Sequence, residues 1–68
     1  MIILENIETG EYFEGNDLEL FIDDDTLIGE VYLDGELIFQ ELDVIDEEQL
    51  EFAFNKSFTQ IDHDFVIN

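Results

Sequence analysis

Between Leu27 and Leu42 the chain reads LIGEVYLDGELIFQEL, two apolar, β-branched runs on either side of Asp34-Gly35. An Asp-Gly pair between such runs is the strongest short-range signal of a β-hairpin. Both central positions of a type I′ turn need positive φ, which Gly accepts freely and Asp tolerates. Continuous pairing from a two-residue loop sets Leu33 against Glu36, Tyr32 against Leu37, Val31 against Ile38 and Glu30 against Phe39. Side chains alternate between faces, so Leu27, Val31, Leu33, Ile38 and Leu42 share one face. Ile28, Tyr32, Leu37 and Phe39 share the other, with Glu30 and Glu41 among them. Neither face is wholly polar, and the pattern predicts a central hairpin with apolar neighbours on both sides.

The same reading extends outwards. Ile2 to Ile7 is a first strand, with Ile3 and Ile7 on one face, and Glu8-Thr9-Gly10 is a turn. Glu11 to Glu14 is a short strand closed by a second turn at Gly15-Asn16-Asp17. Leu18 to Asp23 alternates cleanly, with Leu18, Leu20 and Ile22 inward and Glu19, Phe21 and Asp23 outward. Asp23-Asp24-Asp25 ends that strand, because three adjacent carboxylates resist burial and Asp disfavours strands.

Beyond Leu42 the period changes. Asp46 stands where a helix N-cap is expected, with Glu47 and Glu48 in the first turn and Gln49 completing a capping-box spacing. Ile45 and Leu50 occupy the hydrophobic-staple positions, and Leu50, Ala53, Phe54 and Phe58 fall on one helical stripe. A helix over 46–55 follows, with Lys56 near its C-terminal end. Leu50, Phe52 and Phe54 also alternate as a strand would, which leaves an all-β alternative. In the tail, Phe65-Val66-Ile67 is a candidate final strand. The expected fold is α+β, a single domain over 1–68 with an antiparallel sheet of about five strands, a meander around the hairpin 27–42, and one short helix.

Composition changes the picture at one point. Apolar residues make up 46% of the chain and include seven Phe, which separates it from disordered acidic tails. There is no Cys, so neither a disulfide nor a thiolate metal site reinforces so small a core. The opening Met1–Leu4 run lacks a basic flank and is closed by Glu5. It does not read as a signal peptide or a membrane span, and the expected location is the cytoplasm. The outlier is charge. Twenty Asp and Glu stand against one basic residue, Lys56, for a formal net charge of −19. Small domains ordinarily carry a net charge of magnitude roughly 2–8, and mutual repulsion at this level opposes the compact state.

Catalytic chemistry is poorly represented. The one His, His63, lies between Asp62 and Asp64 and reads as a surface residue rather than a general base. Ser57 has no motif around it, and no glycine-rich phosphate loop occurs. No enzyme activity, cofactor or metal is expected. Asp23, Asp24, Asp25 and Glu30 offer oxygens of the kind divalent cations take, but the calcium-loop pattern of glycine and terminal glutamate is missing. A high-salt surface is a further explanation of the charge.

Rows of carboxylates suggest another chemistry. Phosphates recur about every 3.4 Å along each strand of duplex DNA, and carboxylates on one face of a β-strand about every 6.6–7 Å. Glu11, Glu14, Asp17, Glu19, Asp23, Asp24 and Asp25 run along the N-terminal half, and Asp46, Glu47 and Glu48 mark the helix start. Tyr12, Phe21, Tyr32 and Phe39 are candidate aromatic anchors or a dimer face, the hairpin's second face being either covered by the helix or paired about a twofold. In length and charge over the whole chain, though in no shared motif, the protein resembles the small acidic DNA-mimic proteins of bacteriophages. These block restriction enzymes, CRISPR effectors, uracil-DNA glycosylase or nucleoid proteins. The resemblance implies a basic nucleic-acid-binding protein as partner, with no direct contact to nucleic acid or membrane. The alternative is an acidic regulatory module that binds a basic partner without competing with nucleic acid. Homodimerisation is a further expectation for so short a chain.

Overall fold

The computed structural model describes residues 1–61. In chain order these form β1 (Ile2–Asn6), β2 (Tyr12–Gly15), β3 (Leu18–Ile22), β4 (Gly29–Leu33), β5 (Glu36–Glu41), α1 (Glu47–Ser57) and β6 (Phe58–Ile61). The class is α+β, as the sequence pattern predicts. The strands do not join into one sheet. They make two antiparallel three-stranded sheets, one ordered β2-β1-β6 and the other β3-β4-β5. The meander breaks at Gly15-Asn16-Asp17, where β1 takes β6 as its second neighbour instead of the chain continuing strand by strand. The candidate strand at 65–67 and His63 lie outside the described residues.

The Asp34-Gly35 turn forms as expected, with φ of 51° and 84° at its two residues. Its pairing starts as expected too, Leu33 opposite Glu36 and Tyr32 opposite Leu37. Between Tyr32 and Val31 the register then shifts: Val31 lies opposite Phe39 rather than Ile38, and Glu30 opposite Gln40 rather than Phe39. A β-bulge adds one residue to β5, and one extra residue exchanges the faces of everything beyond it. Phe39 therefore points inward.

The buried core comes from β1, β4, α1, β6 and the loop before the helix. Leu4, Val31, Leu33, Val44, Leu50, Phe54 and Phe58 are buried, with Leu18, Leu20 and Ile22 packed partly against them. On β1 the inward pair is Ile2 and Leu4, and Ile7, just beyond the strand, is exposed. Four phenylalanines join the layers. Phe54 and Phe58 stack at 4.8 Å between ring centroids, Phe39 meets both edge-on at 5.7 and 6.0 Å, and Phe13 lies 5.8 Å from Phe58. They come from β2, β5, α1 and β6, so this cluster ties both sheets to the helix.

The helix begins on its expected cap. Asp46 accepts the Gln49 backbone N–H at 2.9 Å, and Gln49 Oε1 accepts the Ile45 N–H at 2.8 Å. It runs past the expected end at Asn55 to Ser57, because Phe58 donates its backbone N–H to the Phe54 carbonyl and passes directly into β6. The staple does not form. Ile45 is 73% exposed and the buried neighbour of Leu50 is Val44, since Asp43 at φ 58° redirects the chain just before it. Val44 is fixed there by donating its N–H to the Leu27 carbonyl at 2.8 Å. Gly29 makes this close approach possible: a Cβ on it would lie 2.8 Å from a Leu50 methyl and 3.2 Å from a Val44 methyl.

Candidate interaction surface

Several of the candidate carboxylates first serve the chain itself. In the loop between β3 and β4, Asp23 Oδ1 accepts the backbone N–H groups of Asp25 and Thr26 at 2.8 and 3.3 Å. At the hairpin turn, Asp34 Oδ1 accepts those of Asn16 and Asp17 at 3.0 and 2.9 Å, while the Asp34 N–H donates to the Asp17 carbonyl at 2.8 Å. This last set holds the β4–β5 turn against the β2–β3 turn. Short carboxylate side chains satisfy turn N–H groups in this way wherever the backbone leaves them unpaired. Asp23 and Asp46 are thus structural as well as acidic, and Asp34 is a structural acid that charge rows alone do not single out.

The remaining candidates divide among three surfaces. On the first sheet, Glu14 and Tyr12 occupy the outer face of β2 opposite Ile3 and Glu5. Glu11 precedes that strand and accepts the Thr9 hydroxyl at 3.3 Å. At the start of α1, Asp46, Glu47 and Glu48 are all exposed, where the helix dipole favours negative charge.

The third surface is the outer face of the second sheet, where acids and aromatics meet. Glu19 lies opposite Tyr32, which lies opposite Leu37, and Phe21 lies opposite Glu30, which lies opposite Gln40. Asp17 stands just before β3, and Asp23, Asp24 and Asp25 just after it, all exposed. Phe21 packs edge-on against Tyr32 at 5.5 Å yet keeps 52% of its surface in water, and Leu37 keeps 45%. The Tyr32 hydroxyl donates to Glu30 Oε1 at 3.1 Å. That hydrogen bond, then partial burial, then the Glu30 charge hold the phenol above its usual pKa. An exposed Phe21 ring packed on a partly buried Tyr32 and flanked by carboxylates suits a cationic group, since Arg and Lys pair with acids and stack on ring faces.

The structure brings Glu19, Phe21 and Tyr32 together with Asp17 and Asp23–Asp25. It leaves Tyr12, Glu11 and Glu14 on the other sheet, and Asp46–Glu48 on the helix that covers the inner face of this one. Phe39 is removed from the candidate face by the bulge and packs under the helix. Among the described residues no group of three or more His, Cys, Asp or Glu side chains is arranged to hold a metal ion, and no helix is long and apolar enough to cross a membrane.

A further surface escapes a reading based on charge. Leu42, Ile45 and Phe52 are 65, 73 and 64% exposed, and the Lys56 ammonium sits 4.6 Å above the Phe52 ring. The signal for Phe52 is present in the helical period: two residues from Leu50, it falls opposite the buried stripe. Comparison with protein-family models, curated proteins and solved structures returned no match.

Proposed function

We propose that this protein is an acidic, non-catalytic inhibitor that occupies the nucleic-acid-binding surface of a basic protein. This is the role that bacteriophage DNA mimics play against CRISPR effectors, restriction enzymes or host DNA-binding proteins, in the host cytoplasm. The observation that carries the reading is the outer face of the second sheet, where Glu19 and Glu30 flank the exposed Phe21 and the partly buried Tyr32 in a chain of net charge −19. The carboxylates stand in for phosphates, and the rings supply the apolar anchor that a purely electrostatic contact lacks. Charge of one sign also accelerates encounter with an opposite surface, an advantage to an inhibitor that must reach its target before nucleic acid does.

The exposed rings also favour a second reading, a regulator that docks on a basic partner beside the nucleic acid. One experiment separates the two. The immobilised protein is exposed to bacterial lysate, and retained proteins are eluted with salt or, separately, with excess duplex DNA. Release of a DNA-binding protein by DNA, and loss of its retention with Glu19→Lys and Phe21→Ala, supports mimicry. A retained partner that keeps its grip while DNA is bound refutes competition and leaves the regulatory reading. Nothing retained above background refutes both.

A further inference from the structure

We propose that Ile45 and Phe52, with Leu42 beside them, seat a cationic amphipathic segment of another protein, one that carries apolar side chains between Arg or Lys residues. Helix α1 turns Leu50 and Phe54 into the core and leaves Phe52 exposed on its opposite side. This side faces away from the sheet that carries Glu19, Phe21 and Tyr32. Two grooves meet at Phe52 and Gln49. One, of about 370 Å³, is lined further by Ile45, Asp46 and Glu48. The other, of about 290 Å³, has Leu42, Glu41, Asp43 and Lys56 in its walls. Leu42, Ile45 and Phe52 are each about two-thirds exposed or more, an apolar area of the kind that anchors a protein contact.

Charge selects the occupant. The carboxylates around this face are Glu41, Asp43, Asp46 and Glu48, all exposed, against the single ammonium of Lys56. The groove between Ile45 and Phe52 has acids but no cation in its lining. Lys56 itself lies 4.6 Å from the Phe52 ring centroid, so this ring already accepts a cation. A second copy would set four carboxylates and one lysine against the same set and is repelled. Anionic lipid and nucleic acid are repelled likewise. A neutral apolar surface would draw Asp46 and Glu48 out of water without partners, which is costly. A segment that brings cations along with its apolar side chains meets both requirements. Its apolar residues fill the grooves beside Phe52, and its Arg or Lys residues pair with the surrounding acids. Because the helix and the outer sheet face lie on opposite layers, one molecule can hold two basic segments at once, and this contact is independent of the first.

The test is fluorescence anisotropy of a labelled peptide of about 14 residues, roughly four helical turns. It carries Leu at i, i+3, i+4 and i+7 spacing and Lys elsewhere, and is titrated with the full chain in about 0.15 M salt. The expected result is saturable binding, at least about tenfold tighter than to a peptide of equal charge with each Leu replaced by Ser. Phe52→Ser and Ile45→Ser should each weaken it by about tenfold or more while circular dichroism shows an unchanged fold, both side chains being mostly exposed. Glu41→Gln combined with Glu48→Gln should weaken it too, and Phe21→Ala should leave it unchanged. Absence of saturable binding, equal binding of the Ser peptide, or an affinity unmoved by Phe52→Ser or by the paired Gln substitutions overturns the proposal. Loss of binding with Phe21→Ala overturns it by placing the peptide on the sheet. A dimer in sedimentation velocity that Phe52→Ser abolishes overturns it as well, giving the face to a second copy. None of these results bears on competition with DNA, which is read with Glu19→Lys and Phe21→Ala.

Discussion

Phe39 and Phe21 lie on the same sheet and have the same chemistry, yet the bulge in β5 gives them opposite environments. Phe39 is half-buried, edge-on to Phe54 and Phe58 in the cluster that joins both sheets to the helix. Phe21 is 52% exposed and touches one ring, Tyr32. Truncating a core Phe to Ala costs about 3–5 kcal/mol. Phe39 retains some exposure and so falls towards the lower end, about 2–4 kcal/mol. Phe21→Ala loses mainly an edge-to-face contact worth about 0.5–1.5 kcal/mol. For a domain of this size each kcal/mol moves Tm by about 4–8 °C. Phe39→Ala should therefore lower Tm by about 8–32 °C, and Phe21→Ala by about 2–12 °C.

The assay is thermal unfolding by circular dichroism, with urea titration to check that the m-value is unchanged. The total stability expected for a chain this short is about 3–10 kcal/mol, so a wild type at the low end of that range leaves Phe39→Ala largely unfolded at 25 °C. That outcome still agrees with the structure. The refuting result is a Phe39→Ala protein as stable as Phe21→Ala. It would mean that β4 and β5 pair without the bulge and that Phe39 faces solvent with Tyr32 and Leu37, as the unbroken register predicts.

Gly15→Ala should destabilise by about 1–3 kcal/mol through overpacking, because its Cβ would lie 2.7 Å from Leu33 Cγ; a Tm within 2–3 °C, about the shift of half a kcal/mol, would refute the close packing of the two turns. Asp34→Ala loses the acceptor for two N–H groups and puts a side chain without hydrogen-bonding ability at φ 51°, for a loss of about 1–2 kcal/mol, whereas Asp34→Asn keeps both features and should stay within about 0.5 kcal/mol of wild type. The raised pKa of Tyr32 makes its contribution to stability complete below about pH 10, the ordinary value, and lost as pH rises through the raised one. Glu30→Gln should accordingly lower the midpoint of the tyrosinate absorbance titration, and an unmoved midpoint would refute the Tyr32–Glu30 coupling. Tm should also rise as salt goes from about 0.01 to about 0.15 M and the screening length falls from about 30 to about 8 Å; a flat profile would show that carboxylate repulsion does not limit stability.

What could be read from the sequence was local. Asp46 and Gln49 cap the helix because their spacing satisfies N–H groups within one turn, and Asp34-Gly35 turns because both residues accept positive φ. The Leu18–Ile22 strand buries alternate residues because Leu18, Leu20 and Ile22 share one face, with Glu19 and the apolar Phe21 on the other. The features that escaped are non-local. No residue near Ile38 announces a bulge; it lets Phe39 reach rings brought in by α1 and β6, far along the chain. The run Ile2-Ile3-Leu4 offers apolar residues to either face of β1, so only pairing with β2 and β6 decides that Leu4 goes in. Ile45 and Val44 are equally apolar, and it is the left-handed Asp43 and the Leu27 carbonyl that select Val44. For the candidate surface, the outward positions of Glu19 and Phe21 followed from alternation, while the separation of Tyr12 and the helix acids from them depended on the chain forming two sheets.

The distinction between acids that fold the chain and acids that do not sharpens the functional argument. Asp23, Asp34 and Asp46 accept backbone N–H groups, but Asn or Ser fill such positions about as well as Asp. Even these structural roles do not require charge. Asp24, Asp25, Glu14, Glu19, Glu47 and Glu48 are exposed, and no side-chain hydrogen bond is found for them among the described residues. Their repulsion opposes folding of a domain with a small core. Solubility is reached at a much smaller net charge. On the proposed function, the excess serves a partner whose own charge offsets it on binding. If so, neutralising Asp24, Asp25 and Glu19 to their amides should raise Tm and weaken partner capture in the same molecule. Opposite signs of those two effects mark a surface kept for binding at the expense of stability. A gain in stability with capture unchanged would assign these carboxylates to general surface charge and move the contact to another face.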